Sequence, residues 1–245
     1  MIDASDIHRL RMGYATVPAE ESAEHAGERL MLCAYVIRHP RGILLWDTGI
    51  GEHEEVERLF RPVRWPLEAQ LAELGIRLDD VRVVGNCHLH FDHAGGNARF
   101  PGVPILAQRV EHESAASVED YTIPGIADFP GAAYELLSGD AVVWDGVTVM
   151  PTPGHTAGHP SLVVETRQGR VVLAGQSFNF ASDFAKARLT QELAHAGYVS
   201  AAAADYPPWM DVVEALDPWR VLFAHDVASF ERGPGIPPAS QHPAS

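Results

Sequence analysis

Apolar positions recur along this chain in two rhythms, and each rhythm marks a kind of element. Ile7 to Val17 reads as an opening strand and loop, and the acidic stretch Glu20 to Glu28 as a solvated connection. The runs Arg29 to Ile37 and Ile43 to Trp46 flank His39-Pro40-Arg41-Gly42, a turn signal, so they predict a hairpin. Glu52 to Phe60 and Leu67 to Leu74 instead carry apolar residues at helical spacing, with Gly75 as a stop. A strand from Val81 to Cys87, another from Val103 to Ala107 and a short helix from Arg109 to Ala116 follow. Ser117 to Pro130 has no rhythm and is expected to loop over a site.

Two hairpins come next in the pattern. Ala141 to Trp144 pairs through Asp145-Gly146 with Val147 to Pro151, and Ser161 to Thr166 pairs through Arg167-Gln168-Gly169 with Arg170 to Ala174. Helical spacing resumes over Phe184 to His195 and Met210 to Leu216, before a last strand, Arg220 to Ala224. Strands alternating with helices, together with runs of hairpins, predict an α/β chain of two β-sheets packed face to face with helices outside. Residues 1–232 are expected to form one domain, and 233–245, which is Gly, Pro, Ser and Ala without periodicity, a flexible tail.

Composition narrows the partners. The 245 residues are 46% hydrophobic, enough for a sizeable core, and 33 acidic against 18 basic residues give a net charge of −15. With no cluster of Lys and Arg, nucleic acid is not an expected partner. The N-terminal residues lack a basic start and apolar core, and no apolar run approaches the roughly 18 residues that span a bilayer. A cytoplasmic protein with no membrane partner is the expectation. Cys33 and Cys87 lie in apolar runs and read as buried reduced thiols. Cys87 should point away from its neighbour His88 and stay out of any metal site.

The chemistry concentrates in Cys87-His88-Leu89-His90-Phe91-Asp92-His93-Ala94-Gly95-Gly96-Asn97. In an extended segment His88 and His90 share a face, so both imidazoles can reach one cation. Asp92 and His93 can grip that metal from another side, or a second one nearby. Imidazole with carboxylate suits zinc and its first-row neighbours, whereas calcium or magnesium calls for oxygen donors. His155, aimed by Pro153-Gly154, and His225 each follow a predicted strand end, as separated ligands of one site should. His159 reads as a supporting group, and Asp47-Thr48-Gly49 as a turn at the site's edge. His8, His25, His53, His112, His195 and His242 have no metal-like context and are expected on the surface.

Over about residues 30 to 230 the chain resembles the metallo-β-lactamase-fold superfamily, and within it the N-acyl-homoserine lactone lactonase branch. The resemblance rests on Asp47-Thr48-Gly49, on His88 through Asn97, on Thr152-Pro153-Gly154-His155-Thr156-Ala157-Gly158-His159-Pro160-Ser161-Leu162, and on Phe223-Ala224-His225-Asp226. It implies an αββα sandwich of two mixed β-sheets flanked by helices. It also implies one metal on His88, His90 and His155 and a second on Asp92, His93 and His225. A bridging aspartate normally joins the two metals, and the chain places Gln176 there. A tyrosine three residues on normally contacts the substrate carbonyl, and here it is Asn179, with Tyr198 or Tyr206 as substitutes from elsewhere.

The function expected from this resemblance is a zinc-dependent hydrolase of a lactone or related small-molecule ester, of the quorum-quenching kind. Zinc lowers the pKa of a coordinated water to about 7. With Gln176 in the bridge position one zinc rather than two is favoured, Asp92 is left to act as general base, and Asn179 can donate through its amide. A homodimer is left open. The alternative is a protein of the same fold whose modified, single-metal site does a non-hydrolytic or biosynthetic step, or binds metal without hydrolysis. A glyoxalase-like thioesterase would carry an added C-terminal helical domain, a nuclease a basic face, and an exported β-lactamase a signal.

Overall fold

The computed structural model describes residues 1–198, 200 and 207–231. The expected tail, Tyr206, His242 and the side chain of His195 lie outside the described residues. The strands are β1 (Ile7–Thr16), β2 (Arg29–His39), β3 (Gly42–Trp46), β4 (Val63–Arg64), β5 (Val81–Gly85), β6 (Pro104–Gln108), β7 (Ala133–Leu137), β8 (Ala141–Trp144), β9 (Val147–Pro151), β10 (Pro160–Thr166), β11 (Gly169–Leu173), β12 (Arg220–Leu222) and β13 (Ser229–Glu231). The α-helices are α1 (Glu54–Phe60), α2 (Leu67–Glu73), α3 (Arg109–Ser117), α4 (Ala181–His195) and α5 (Trp209–Ala215).

One sheet has the order β4-β1-β2-β3-β5-β6-β7 and the other β13-β12-β11-β10-β9-β8. Both are mixed: β3, β5, β6 and β7 run parallel in the first, and β11 runs parallel to β12 in the second. β2 shows why they stack. Leu32, Ala34 and Val36 enter a core shared with α1 and α2, while Cys33, Tyr35 and Ile37 enter the core between the sheets. A strand buried on both faces loses its polar alternation and reads as a continuous apolar run. On the second sheet Val172 and Val221 turn outward to Phe184, Met210 and Val213 of α4 and α5. Three apolar layers between four structural layers make the αββα sandwich expected from the sequence.

Three short or polar strands carry neither apolar rhythm. β7, with an intermediate, half-polar face, extends the first sheet at its edge, and β4 and β13 are two and three residues long. Apolar periodicity has no grip on such segments. Three strands also end sooner than the pattern predicts, β5 at Gly85 and β12 at Leu222, each two residues early, and β11 at Leu173, one residue early.

These early ends matter for the site. Through the pairings β9–β10, β10–β11 and β11–β12, strands β9, β11 and β12 all run the same way. Their C-terminal ends therefore share one edge of the sandwich, and each emits a loop there. The parallel pair β3 and β5 delivers two more loops, one carrying Asp47 and the other the histidine cluster.

Candidate metal centre

The first correction concerns His88 and His90. They stand beyond β5, because past Asn86, whose N–H still reaches Leu106 O at 3.2 Å, the backbone donors leave the ladder for side chains. Cys87 N–H donates to Asp47 Oδ1 at 2.9 Å, and Leu89 N–H to Glu111 Oε1 at 2.8 Å. The two imidazoles nevertheless converge, with ring centroids 4.4 Å apart. His155 closes the group, its ring 4.6 Å from His88 and 5.2 Å from His90. One donor atom from each of His88, His90 and His155 lies within 4.8 Å of the others.

A second group adjoins it. His93 Nε2 stands 3.3 Å from His225 Nε2 and 3.1 Å from Gln176 Oε1, with Asp92 Oδ2 at 3.5 Å from His93 and 3.7 Å from His225. Both rings are held from behind. His93 Nδ1 meets Asp47 Oδ2 at 3.2 Å, and His225 Nδ1 donates to the Met31 carbonyl at 2.8 Å. With each Nδ1 so engaged, the two Nε2 atoms face one another, an arrangement that a proton on His93 or a metal cation between them satisfies. His88 Nε2 is likewise buried with no partner among the described residues. The donor set thus fits a transition metal.

Protonation agrees with that fit at His88, His155 and His225. Burial, aided by the surrounding histidines, drives His88 well below its usual value and takes His155 and His225 down to about 4, so all three are neutral imidazoles. His93 goes the other way. Burial disfavours its cation, but the Asp92 and Asp47 carboxylates around it outweigh that cost and push it well above the usual range. Burial would likewise raise Asp92, yet His93, His225 and His90 hold its carboxyl below the ordinary carboxylate range. The His93 proton therefore occupies the lone pair that a metal would take.

The loops are locked together by close backbone approach. Thr48 N–H donates to His93 O at 2.7 Å, Gly51 N–H to Phe91 O at 2.9 Å and Gly95 N–H to Gly49 O at 2.9 Å. A Cβ at Gly95 would fall 1.9 Å from Gly51 N, which is why the motif reads Ala-Gly-Gly. Asp47 itself takes a left-handed φ of 62°, tolerated by an aspartate whose carboxylate is anchored at once by Cys87 and His93. Asn97 joins Thr48 and Asn86 through bonds of 2.9 Å each. His159 is fully buried, with Nδ1 3.2 Å from Thr152 O and Nε2 accepting Gln176 N–H at 3.1 Å, the supporting part its position suggested.

Cys87 departs from expectation. Its sulfur lies 3.3 Å from His88 Nδ1 and 3.3 Å from His93 Nδ1, behind both rings, because the chain bends at this point. Burial, then Asp47, pushes the thiol up to about 12, and a thiol so protonated is a poor ligand. Gln176 turns its amide NH2 to Asn179 Oδ1 at 3.2 Å, which leaves Asn179 Nδ2 directed elsewhere. Tyr198 is 79% exposed and stands outside the cleft as a surface residue. Among the described residues the tyrosine that reaches the histidines is Tyr121, its ring edge-on to His90 at 4.9 Å. It comes from the 117–130 loop expected over the site. Glu111, to which Tyr121 donates, carries no signal in the sequence that sets it apart from other acids of a helix.

Beside the histidines lies a small cavity of about 100 Å³, walled by Ala15, Val17, Leu30, Phe60 and Phe91 and reaching Asp92 and Gln176. Larger cavities of about 460 and 840 Å³ border the 117–130 loop, but none of the seven donor residues lines them.

The sequence model of the metallo-beta-lactamase superfamily matches residues 33–225. The chain belongs to that superfamily. It is 35% identical over 219 residues to an N-acyl homoserine lactonase of a Bacillus species, covering 83% of this chain and 84% of that one. Identity to the N-acyl homoserine lactonase of Bacillus cereus is 34% over 213 residues, 81% and 82% of the two chains. A solved N-acyl homoserine lactone hydrolase with the product N-hexanoyl-L-homoserine bound at its catalytic metal centre superposes with a TM-score of 0.67. It is 27% identical and covers 90% of this chain and 93% of that chain. The lactonase relatives, at about 35% identity over four-fifths of the chain, mark the protein as a metal-dependent hydrolase. Among the described residues no helix is long and apolar enough to cross a membrane.

Proposed function

We propose that this protein opens the ring of N-acyl homoserine lactones by metal-dependent hydrolysis, with zinc as the metal. The observation that carries the reading is the convergence of His88, His90, His155, Asp92, His93 and His225 in a chain aligned over most of its length with named lactonases. Zinc suits a set of imidazole nitrogens with one carboxylate. When bound, such an ion acidifies water and polarises a carbonyl.

The rest falls to the chain's own groups. His88, His90 and His155 present neutral nitrogens as the primary holding set, and Asp92, His93, His225 and the Gln176 carbonyl oxygen form a weaker second set. Asp92 is the carboxylate on the open side of the cleft. It takes the proton of the attacking water and returns it to the ring oxygen as the ester bond breaks, leaving a hydroxy acid. Asn179, its Oδ1 occupied by Gln176, directs Nδ2 to the substrate carbonyl. The small apolar cavity takes the substituent on the lactone.

The test is a panel of acyl-homoserine lactones, simple lactones, esters and thioesters, assayed on zinc-loaded protein with metal analysis. Lactone opening that disappears on chelation and returns with zinc is expected. A second reading, a non-hydrolytic or biosynthetic step at the same centre, is favoured by Gln176 and Asn179, which replace the two family residues nearest the reacting carbonyl. Zinc-loaded protein inert towards every ester and lactone would replace the first reading with the second.

A further inference from the structure

Glu111 lies outside the donor set, yet the loops that build the cleft end on it. It sits in the first turn of α3 and is 1% exposed. Its Oε1 accepts the backbone N–H of Leu89, the residue between His88 and His90, at 2.8 Å. Its Oε2 accepts the hydroxyl of Thr156, next to His155, at 2.6 Å. Tyr121, whose ring leans on His90, donates its hydroxyl to Oε1 as well. The His155 loop also presses on the helix itself, since a Cβ at Gly158 would stand 2.4 Å from Glu111 N.

All three partners, one backbone N–H and two hydroxyls, are donors, and an ionised carboxylate is an acceptor at both oxygens. The first helical turn favours the negative charge. A backbone N–H cannot reverse its role, so the Leu89 bond in particular demands an acceptor at that point. An amide in the same place offers one acceptor oxygen to three donors.

We propose that Glu111 is a positioning residue of the metal centre: by tying Leu89, Thr156 and Tyr121 to one buried carboxylate, it sets the separation and tilt of His90 and His155. It touches neither substrate nor metal, and it acts through the backbone of the ligand loops. The proposal rests on the reading of His88, His90 and His155 as the primary zinc-holding set.

The test measures zinc affinity of the full chain by competition with a chromophoric chelator, beside kcat and KM for N-hexanoyl-homoserine lactone and the far-ultraviolet circular dichroism. E111Q keeps the size of the side chain and is expected to weaken zinc about ten-fold. It should lower kcat with KM nearly unchanged and the dichroism as in the wild type. T156V and Y121F each remove one donor and are expected to weaken zinc about three-fold. Wild-type zinc affinity in a folded E111Q overturns the proposal. Should E111Q not fold, wild-type affinity in both T156V and Y121F overturns it instead. A wild type that opens no lactone, with zinc affinity still lowered in E111Q, overturns the hydrolase reading and sustains the positioning role.

Discussion

The two sides of the cleft are built from the same kinds of residue and differ in charge. On one side His88, His90 and His155 are neutral imidazoles with an unpartnered buried nitrogen among them. On the other, Asp92 is ionised and His93 is pulled towards its cation, so that side already carries an internal ion pair. Beside His93 stands Gln176, a neutral amide whose oxygen lies 3.1 Å from His93 Nε2. A first dication meets three ready nitrogens, whereas a second must displace a proton and face the first without an anionic bridge. On the proposed reading, the difference teaches that a single lost charge biases a site towards one metal even where nearly all its donors are kept.

The largest expected effect breaks the strong side. His88→Ala should remove the tightly held metal and lower kcat/KM for a lactone at least about a thousand-fold, roughly 4 kcal/mol in barrier. Retained metal with unchanged turnover would show that the neutral side is not the holding set. Next is Asn97→Ala, which strips Thr48 and Asn86 of a buried partner beneath His93. It should cost about 2 kcal/mol of folding stability in denaturant titration while leaving the tight metal in place.

Gln176→Asp tests the missing charge directly. A carboxylate there offsets part of the repulsion between two dications, so metal content should rise towards two per chain and kcat/KM by about ten-fold, roughly 1.4 kcal/mol. Adding Asn179→Tyr should raise it further. If metal content climbs and lactone opening stays flat, the cavity rather than the bridge limits the reaction. The smallest effect is expected from His225→Ala. Wild-type protein after dialysis should hold nearer one metal than two, and this variant should leave that count unchanged. Two tightly held ions per wild-type chain in anomalous scattering would erase the asymmetry between the sides.

Much of this architecture was legible beforehand. Long apolar runs such as β2 and β10 announce strands buried on both faces, and the Asp145-Gly146 turn announces its hairpin. β7 was not legible, because its half-exposed residues carry neither rhythm. The period-two reasoning for His88 and His90 brought the right side chains together on a backbone that is not a strand. Its success owes something to Glu111 and Asp47, which replace ladder partners with side-chain acceptors.

The sequence by itself determined the donor types, their order along the chain and the substitution of Gln176 and Asn179, since these are matters of identity and spacing. Only the tertiary structure decided that β9, β11 and β12 empty onto one edge beside β5, that Cys87 sits behind the histidine rings, and that Glu111 collects three loops. Partnerships of that sort join residues as far apart as Met31 and His225. They depend on which carbonyl or carboxylate the packed sheets bring within about 3 Å of a donor, and no local pattern of residues encodes that distance.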